Sequence, residues 1–267
     1  MHALLTQLDR CWRWLATGAV VVLFGIGAIV VSLTVFPLLR LLSRSRESAR
    51  PRIQRAMHLT FRAYVKLMRI LGLLTCEVQG RERLLQPGQL VIANHPTLLD
   101  VVLLVSLMPE VDCIVKEALW RHPFLRWPVL WASYIPNRSG EQLVAACAAT
   151  LRQGRSLLVF PEGTRSWPGR PLHLQRGVAH IALEAAAPIL PVTIEVSEPV
   201  LTKTYPWYRV PRHRPHFRLL VGEPWLPVEY NPQGASGALP ARTLTRRIGT
   251  HYAAVEARNL RWPEAER

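Results

Sequence analysis

The sequence predicts an α/β domain, with a layered mixed sheet flanked by helices, behind an N-terminal membrane helix and a basic amphipathic helix. Residues 14–39 form an uncharged, mostly apolar stretch. Residues 51–74 place basic side chains on one side of a helical wheel and apolar ones on the other. From residue 75 onward, short β-like runs alternate with helix-like runs, which is the pattern of a sheet covered by helices.

The apolar stretch is long enough to cross a bilayer. No charged residue lies between Arg13 and Arg40, which leaves 26 consecutive uncharged positions, and about 20 apolar residues span a bilayer core as a helix. Trp12 and Trp14 stand where interfacial aromatic residues anchor such helices. A cleaved signal peptide has an apolar region of only about 7–15 residues and a small-residue cleavage site. We therefore expect an anchor.

The residues after the anchor are strongly basic. The segment from Arg40 to Lys66 contains eight Lys and Arg residues and a single acid, Glu47. Cytoplasmic flanks of membrane helices carry an excess of positive charge, so the bulk of the chain is expected at the cytoplasmic face of the cell membrane. The helix over 51–74 could lie in the headgroup region or pack on its own domain with a solvated basic face, and the sequence leaves both open.

The amino-acid composition limits the kinds of molecule that the protein is expected to bind. The formal net charge is +15 with a pI near 10.9, and the mean hydropathy of +0.12 is high for a soluble enzyme. Such a charge indicates a polyanionic partner, which is nucleic acid, anionic lipid or a phosphorylated substrate. The cysteines are scattered without a C-x-x-C pair, which favours reduced thiols. They are Cys11, Cys76, Cys113 and Cys147.

We divide the chain into an N-terminal anchor with its basic flank, 1–50, and one domain over 51–267, whose core motifs lie within 75–197. Strands are predicted at 76–78, 90–93, 112–115, 134–136, 156–160, 189–196 and 216–221. Helices are predicted at 97–108, 117–132, 140–152, 175–187 and 241–260. Two Pro-rich segments, 198–215 and 222–240, are expected to be long loops.

The stretch Asn94-His95-Pro96-Thr97-Leu98-Leu99-Asp100 joins a predicted strand to a predicted helix. In one continuous helix, His95 and Asp100 would lie about 140° apart and could not meet. Pro96 biases His95 away from the helical conformation and suits the first helical position. His95 is thus expected at a corner from which its ring bends back over Asp100, which would fix its tautomer and leave one nitrogen free as a base.

Further polar residues are expected at the same edge of the sheet, because ligands collect at the carboxyl ends of parallel strands. A buried strand opens into a loop at 162–166, where Gly163 allows close approach of the backbone and Arg165 offers a fork for phosphate. The loop residues are Glu162, Gly163, Thr164, Arg165 and Ser166. Lys116 and Arg138 follow two other predicted strands.

These ordered blocks resemble the glycerolipid acyltransferase family, typified by 1-acylglycerol-3-phosphate and lysophospholipid acyltransferases. The resemblance covers about residues 75–197 and includes the His-x4-Asp motif, Arg138, the stretch 160–166 and the stretch 188–196. It implies that His95 is the general base and that Asp100 orients it. It also implies that Arg138 and residues 162–165 bind the acceptor, notably a glycerol phosphate, and we place Lys116 with them.

The resemblance implies transfer of a fatty acyl group from acyl-CoA or acyl carrier protein to the hydroxyl of a lysophosphatidic acid-like acceptor, with no other cofactor and no metal. Expected partners are membrane lipids and the acyl thioester donor; the oligomeric state stays open. The family often has Ser where Thr97 stands and an acid where Asn137 stands. A different lyso-lipid or another hydroxylated amphiphile is therefore the alternative acceptor.

Two other classes are less favoured. The stretch 203–218 mixes basic and aromatic residues as nucleic-acid-binding surfaces do, but the anchor explains the charge by apposition to a membrane, and nucleic acid is not expected. His213 and His216 lie in an Arg- and Pro-rich loop without a nearby Cys or acid in sequence, so we expect solvated histidines rather than a metal site. A non-catalytic membrane scaffold would need no His95–Asp100 pair.

Overall fold

The computed structural model describes residues 2–122, 125–137, 140–166, 173–235 and 237–259. The helices are α1 His2–Leu33, α2 Val35–Leu41, α3 Arg46–Ile70, α4 Leu99–Val105, α5 Arg126–Trp131, α6 Glu141–Arg152, α7 Gly177–Ala185, α8 Pro227–Tyr230 and α9 Ala238–Asn259. The strands are β1 Thr75–Gln79, β2 Leu90–Ala93, β3 Asp112–Val115, β4 Ile135–Pro136, β5 Leu157–Val159, β6 Ile189–Val196 and β7 His216–Val221.

The seven strands form one mixed sheet, which confirms the predicted fold class. Their order is β1-β7-β6-β2-β5-β3-β4, and every neighbouring pair is parallel except β6 with β7. The central strand β2 is buried along its whole length and lies between β5 and β6. Since β2 and β5 are parallel, with Ile92 opposite Val159, the segments after them emerge side by side.

Helices cover both faces of the sheet. One core joins the sheet to α1, α2, α3, α4 and α5, and a second joins it to α6, α7 and α9. Both faces are therefore apolar, as expected for a mostly parallel sheet. The helix α3 buries Ala49, Ile53, Met57, Val65 and Met68, so the basic amphipathic segment packs on its own domain, one of the two interpretations that the sequence left open.

The helix α1 lies along α3 rather than standing away from the domain. Three contacts join Trp12 to Leu71, Val20 to Tyr64 and Phe24 to Phe61. As the residue number rises in α1 it falls in α3, so the two helices are antiparallel. Residues 7–41 are long and apolar enough to cross a membrane, but the inner side of this segment packs against the domain.

Some predicted element bounds are wrong. The predicted helix over 117–132 is a short 3-10 turn at Glu117–Trp120 followed by α5. Pro128 has no N–H to donate and is unfavourable in the interior of a continuous helix. The helix predicted at 97–108 is α4, and Pro96 is not its first residue. The helix predicted over 51–74 is α3, which begins five residues earlier and ends four residues earlier, and the predicted loop 222–240 contains α8 and the start of α9. The other strands and helices predicted from residue 75 onward are present, with their ends shifted by at most three residues.

A buried charge cluster fastens α3 to the sheet at the edge opposite the β2 and β5 carboxyl ends. The Asp112 carboxylate, at the start of β3, is fully buried. Its Oδ1 accepts hydrogen bonds from Arg50 at 2.6 Å and from Gln54 at 2.7 Å, and its Oδ2 accepts one from Arg155 at 2.7 Å. Removing one partner of a buried, hydrogen-bonded ion pair leaves the others uncompensated.

We expect Asp112→Ala to lower the free energy of unfolding by about 3–5 kcal/mol, because it leaves two largely buried guanidinium groups without their carboxylate partner. Denaturant unfolding of the detergent-solubilised protein measures the change. Glu110→Ala is the matched control, since Glu110 pairs with Arg55 at the surface and an exposed pair contributes about 1 kcal/mol or less. Equal losses in the two variants would contradict a special role of the cluster.

Candidate active site

The expected contact between His95 and Asp100 is present. His95 follows β2 in a non-helical conformation, and Asp100 is the second residue of α4. The Nδ1 atom of His95 lies 2.8 Å from Oδ2 of Asp100. The corner therefore does what one continuous helix could not, since it brings a ring and a carboxylate five residues apart into contact.

The Asp100 carboxylate is fully buried and held from two further directions by Thr97. The backbone N–H of Thr97 donates to Oδ2 at 2.8 Å, and the Thr97 hydroxyl donates to Oδ1 at 2.6 Å. A buried carboxylate needs such donors because its water shell is lost. Sequence reasoning treated Thr97 only as a departure from the family pattern, although a Thr three residues before an Asp is a known local hydrogen-bonding pattern.

The imidazole of His95 is confined but not closed off. Its ring stacks on Phe160 with centroids 4.2 Å apart, and its side chain is 13% exposed. With Nδ1 directed at Asp100, the proton on Nδ1 leaves a lone pair on Nε2. No described residue forms a hydrogen bond to Nε2. The ring thus has a fixed orientation and one nitrogen available to a substrate.

The loop at 162–166 holds the backbone of His95 on both sides. The His95 N–H donates to Oε1 of Glu162 at 3.0 Å, and the His95 carbonyl accepts from the Ser166 N–H at 2.8 Å. The Ser166 hydroxyl donates to the same Oε1 at 2.9 Å. The Glu162 side chain is therefore buried and turned towards the His95 corner, a position that its place in a polar loop did not predict.

A second backbone fastening lies one residue earlier. The Asn94 side chain donates through Nδ2 to the carbonyl of Ile194 at 2.9 Å and accepts through Oδ1 from the Ile194 N–H at 2.7 Å. This amide continues the pairing of β2 with β6 beyond the end of β2. Asn94 was recognised in the sequence as part of the motif, but its hydrogen bonds to the backbone of Ile194 were not predicted.

Residues 75–195 match the family model described as Acyltransferase. This segment belongs to the acyltransferase family. A 1-acyl-sn-glycerol-3-phosphate acyltransferase of Saccharomyces cerevisiae is 32% identical over 163 residues, which are 56% of this chain and 52% of that protein. One from Cocos nucifera is 36% identical over 110 residues, 39% of this chain and 36% of that protein. The matches thus span about half or less of these relatives.

The acyltransferase domain also has a solved structural neighbour. The crystal structure of PlsC, the 1-acyl-sn-glycerophosphate (LPA) acyltransferase from Thermotoga maritima, superposes with a TM-score of 0.63 at 21% identity. The alignment covers 99% of this chain and 100% of that one. The shared fold therefore includes the N-terminal helices as well as the sheet.

The other predicted site residues that the structure describes lie around the same edge of the sheet. Lys116 is exposed after β3, with Nζ 3.4 Å from the Thr164 hydroxyl. Gly163 has a positive φ of 65°, which favours glycine. Arg165 directs Nη1 at two backbone carbonyls, those of Leu201 and Thr202, at 2.9 and 3.0 Å. Arg138 lies outside the described residues.

The candidate metal ligands behave as surface groups. Nδ1 of His213 lies 2.8 Å from a carboxylate oxygen of Glu198, and His216 contacts the Thr75 hydroxyl. Across the described ranges, no three His, Cys, Asp or Glu side chains are grouped as a metal site would require. All four cysteines are free thiols in the described structure.

The buried Glu162 makes the stability of the protein depend on pH. Burial raises its pKa above the ordinary 4.5, against the lowering effect of the His95 N–H and the Ser166 hydroxyl. From about pH 4.5 up to the raised pKa, the native state holds a proton that the unfolded chain has released. The free energy of unfolding therefore falls as pH rises through this window, by at most ~1.4 kcal/mol per pH unit, and is level above it.

We expect Glu162→Gln to remove this slope while keeping an oxygen acceptor for both donors. Unfolding free energies measured across the window, for the wild type and the variant, check it. Glu82→Gln, at an exposed acid, is the control and should leave the slope in place. A slope that survives in Glu162→Gln would contradict the assignment to Glu162.

Proposed function

We propose that this acyltransferase moves a fatty acyl group from an acyl thioester to the free hydroxyl of a lysophosphatidic acid-like acceptor, with His95 as the general base. The observation that carries the proposal is the His95 ring, bound through Nδ1 to a buried carboxylate with Nε2 open to a substrate. The matched relatives named as 1-acyl-sn-glycerol-3-phosphate acyltransferases support the class of acceptor.

In the proposed reaction, Nε2 of His95 removes the proton of the acceptor hydroxyl while its oxygen attacks the thioester carbonyl. The tetrahedral intermediate then expels the thiolate, which takes up the proton from the imidazolium. One ester C–O bond forms and one C–S bond breaks, and no acyl-enzyme is needed. Asp100 contributes by holding the tautomer and by stabilising the imidazolium through its negative charge.

The acceptor phosphate is proposed to lie between Lys116 and the loop at 162–166. The exposed ammonium of Lys116, beside the Thr164 hydroxyl, provides a charge and a donor for phosphate. Arg165 keeps part of its guanidinium beyond the two carbonyls that hold Nη1, and Arg138 is proposed as a further ligand from the family resemblance. Glu162 serves this site indirectly, because its carboxylate faces His95.

Thr97 does not distinguish between acceptors in this proposal. Its hydroxyl is spent on Asp100 at 2.6 Å, and the residue is fully buried, so the change from Ser to Thr is accommodated inside the protein. Asn137 remains the departure that could admit a different lyso-lipid headgroup. The donor is proposed to be acyl-CoA or acyl carrier protein, without any further cofactor.

We propose that the enzyme works at the cytoplasmic face of a membrane, with α1 and α2 embedded beside the domain. The outer side of α1 is a continuous exposed apolar stripe that includes Leu15, Val22, Ile26 and Leu33. A perpendicular span would draw the exposed basic side chains of the antiparallel α3 into the hydrocarbon, which is costly. We therefore propose that α1 lies along one leaflet.

We expect His95→Ala to lower kcat by about 10²–10⁴, the usual contribution of a general base. Asp100→Asn should also lower kcat, since the amide cannot balance the imidazolium charge. Purified protein, an acyl-CoA and a lysophosphatidic acid suffice for the assay. His213→Ala, which removes an exposed histidine, is the control. Turnover near the wild-type value in His95→Ala would sink the mechanism.

A second expectation concerns the acceptor. Lys116→Ala should raise the acceptor KM by about tenfold or more, because a hydrogen bond to a charged group contributes about 1.5–3 kcal/mol, with the KM for the donor unchanged. Lys66→Ala, which removes an exposed lysine of α3, is the matched control. An unchanged acceptor KM, or a raised KM for the donor instead, would remove Lys116 from the phosphate site.

A further inference from the structure

The basic and aromatic stretch 203–218 takes no part in the proposed chemistry, yet the structure ties it to the start of α1. Arg13 is buried and donates to the carbonyls of Pro211 at 2.9 Å and Arg212 at 2.8 Å. The Trp14 indole donates to the carbonyl of Tyr208 at 3.2 Å. The loop between β6 and β7 is therefore fixed against the first turns of the apolar helix.

This junction exposes aromatic rings among positive charges. Its four aromatic side chains are between 46% and 59% exposed: Trp12, Trp14, Trp207 and Tyr208. Four exposed cations lie beside these rings, namely Arg10, Arg69, Arg209 and Arg212. Its acids are already engaged, since Asp9 pairs with Arg13 and Glu198 with His213. We call these eight aromatic and basic residues the aromatic–basic patch.

We propose that the aromatic–basic patch is a second membrane contact, which sits in the headgroup layer of an anionic bilayer while α1 occupies the apolar layer beside it. Trp and Tyr concentrate at the interface between membrane and water because their rings have an apolar body and a polar edge. Lys and Arg near an anionic surface contribute about 1 kcal/mol each. The proposal rests on the membrane association proposed above and extends it to a loop outside the anchor.

Continuity with α1 favours lipid over nucleic acid as the occupant. The patch passes directly into the exposed apolar stripe of α1, and a polyanion in water would leave that stripe uncovered. The indole N–H groups of Trp12 and Trp14 are spent on backbone carbonyls, which fixes both rings at this boundary. A rigid aromatic belt beside an uncharged helix fits an interface between lipid and water.

The patch is also close to the active-site helix. A small cavity of about 60 Å³ separates the loop from α1 and α4, and its lining includes Val20, Leu99, Leu201 and Trp207. Leu99 precedes Asp100, and the Leu201 carbonyl accepts from the Leu98 N–H at 3.0 Å. A loop seated among headgroups would thus hold the His95 edge of the sheet near the level at which a lysophospholipid presents its hydroxyl.

Depth measurements on the full chain in vesicles test the proposal. The reporter is an environment-sensitive fluorophore on Trp207→Cys, in a chain that also carries Cys11→Ser and Cys76→Ser. Burial raises the thiol pKa of Cys113, and that of Cys147 to about 12, so these two stay unlabelled. Val22→Cys on the α1 stripe and Val228→Cys on α8, both exposed, are the inner and outer references.

We expect the label at 207 to be quenched by lipids with a nitroxide at the headgroup, the label at 22 by lipids with a nitroxide in the acyl chain, and the label at 228 by neither. Quenching at 22 with a label at 207 that behaves like the one at 228 would overturn the patch and leave membrane association standing. Quenching at neither 22 nor 207 would overturn both. Neither result bears on acyl transfer, which is measured separately.

The charge requirement is tested by Arg209→Gln with Arg212→Gln. Partitioning to vesicles that contain phosphatidylglycerol should fall by about fivefold for each cation removed, which corresponds to about 1 kcal/mol, with little change on phosphatidylcholine. Arg242→Gln with Arg246→Gln removes the same charge from exposed positions on α9 and should have a much smaller effect. Equal losses in the two pairs, or tight oligonucleotide binding lost only with Arg209 and Arg212, would overturn the assignment to lipid.

Discussion

The buried carboxylate of Asp100 is the group on which the candidate active site depends. It accepts one hydrogen bond from the His95 ring and two from Thr97, and it has no access to water. A buried charge is tolerable only when such donors replace its hydration. The requirement shapes the chain, because residues 95–97 must stay non-helical to supply the donors while Asp100 must already be helical.

The parallel sheet supplies the second half of the site. Adjacent parallel strands end at the same edge, so the loop after β5 meets the corner after β2 although about seventy residues separate them. Glu162 and Ser166 then fix both backbone groups of His95. The stabilising ion cluster around Asp112 lies at the other end of the strands, so the cations that fasten α3 are kept away from the reacting edge.

Local sequence patterns predicted many of the strands and the contact between His95 and Asp100. They did not predict side-chain positions that depend on partners distant in the sequence. Buried runs gave strands such as 90–93 and 189–196 correctly, because an apolar run between turns has few other uses. The pairing of His95 with Asp100 was predictable because both residues lie in one short segment. The inward turn of Glu162 and the bond of Arg165 to the carbonyls of Leu201 and Thr202 were not, because they depend on loops joined only by the fold.

For the N-terminal helix, too, the sequence alone was not enough to predict which side faces the domain. Residues 14–39 are uncharged and mostly apolar, so their hydropathy alone predicts a span and cannot distinguish a lipid-facing side from a domain-facing side. The structure makes that distinction, since Ala16 and Val20 are buried while Leu15 and Val22 are exposed.

Once one side of α1 is fixed on α3, the basic side chains of α3 limit how deeply the pair can enter a bilayer. Charged groups at that position favour headgroups over hydrocarbon. We therefore propose that the amphipathic helix that packs on its own domain also sets the depth of the anchor. The two interpretations of residues 51–74 are thus compatible: the inner face packs on the sheet, and we propose that the basic face stays among the headgroups.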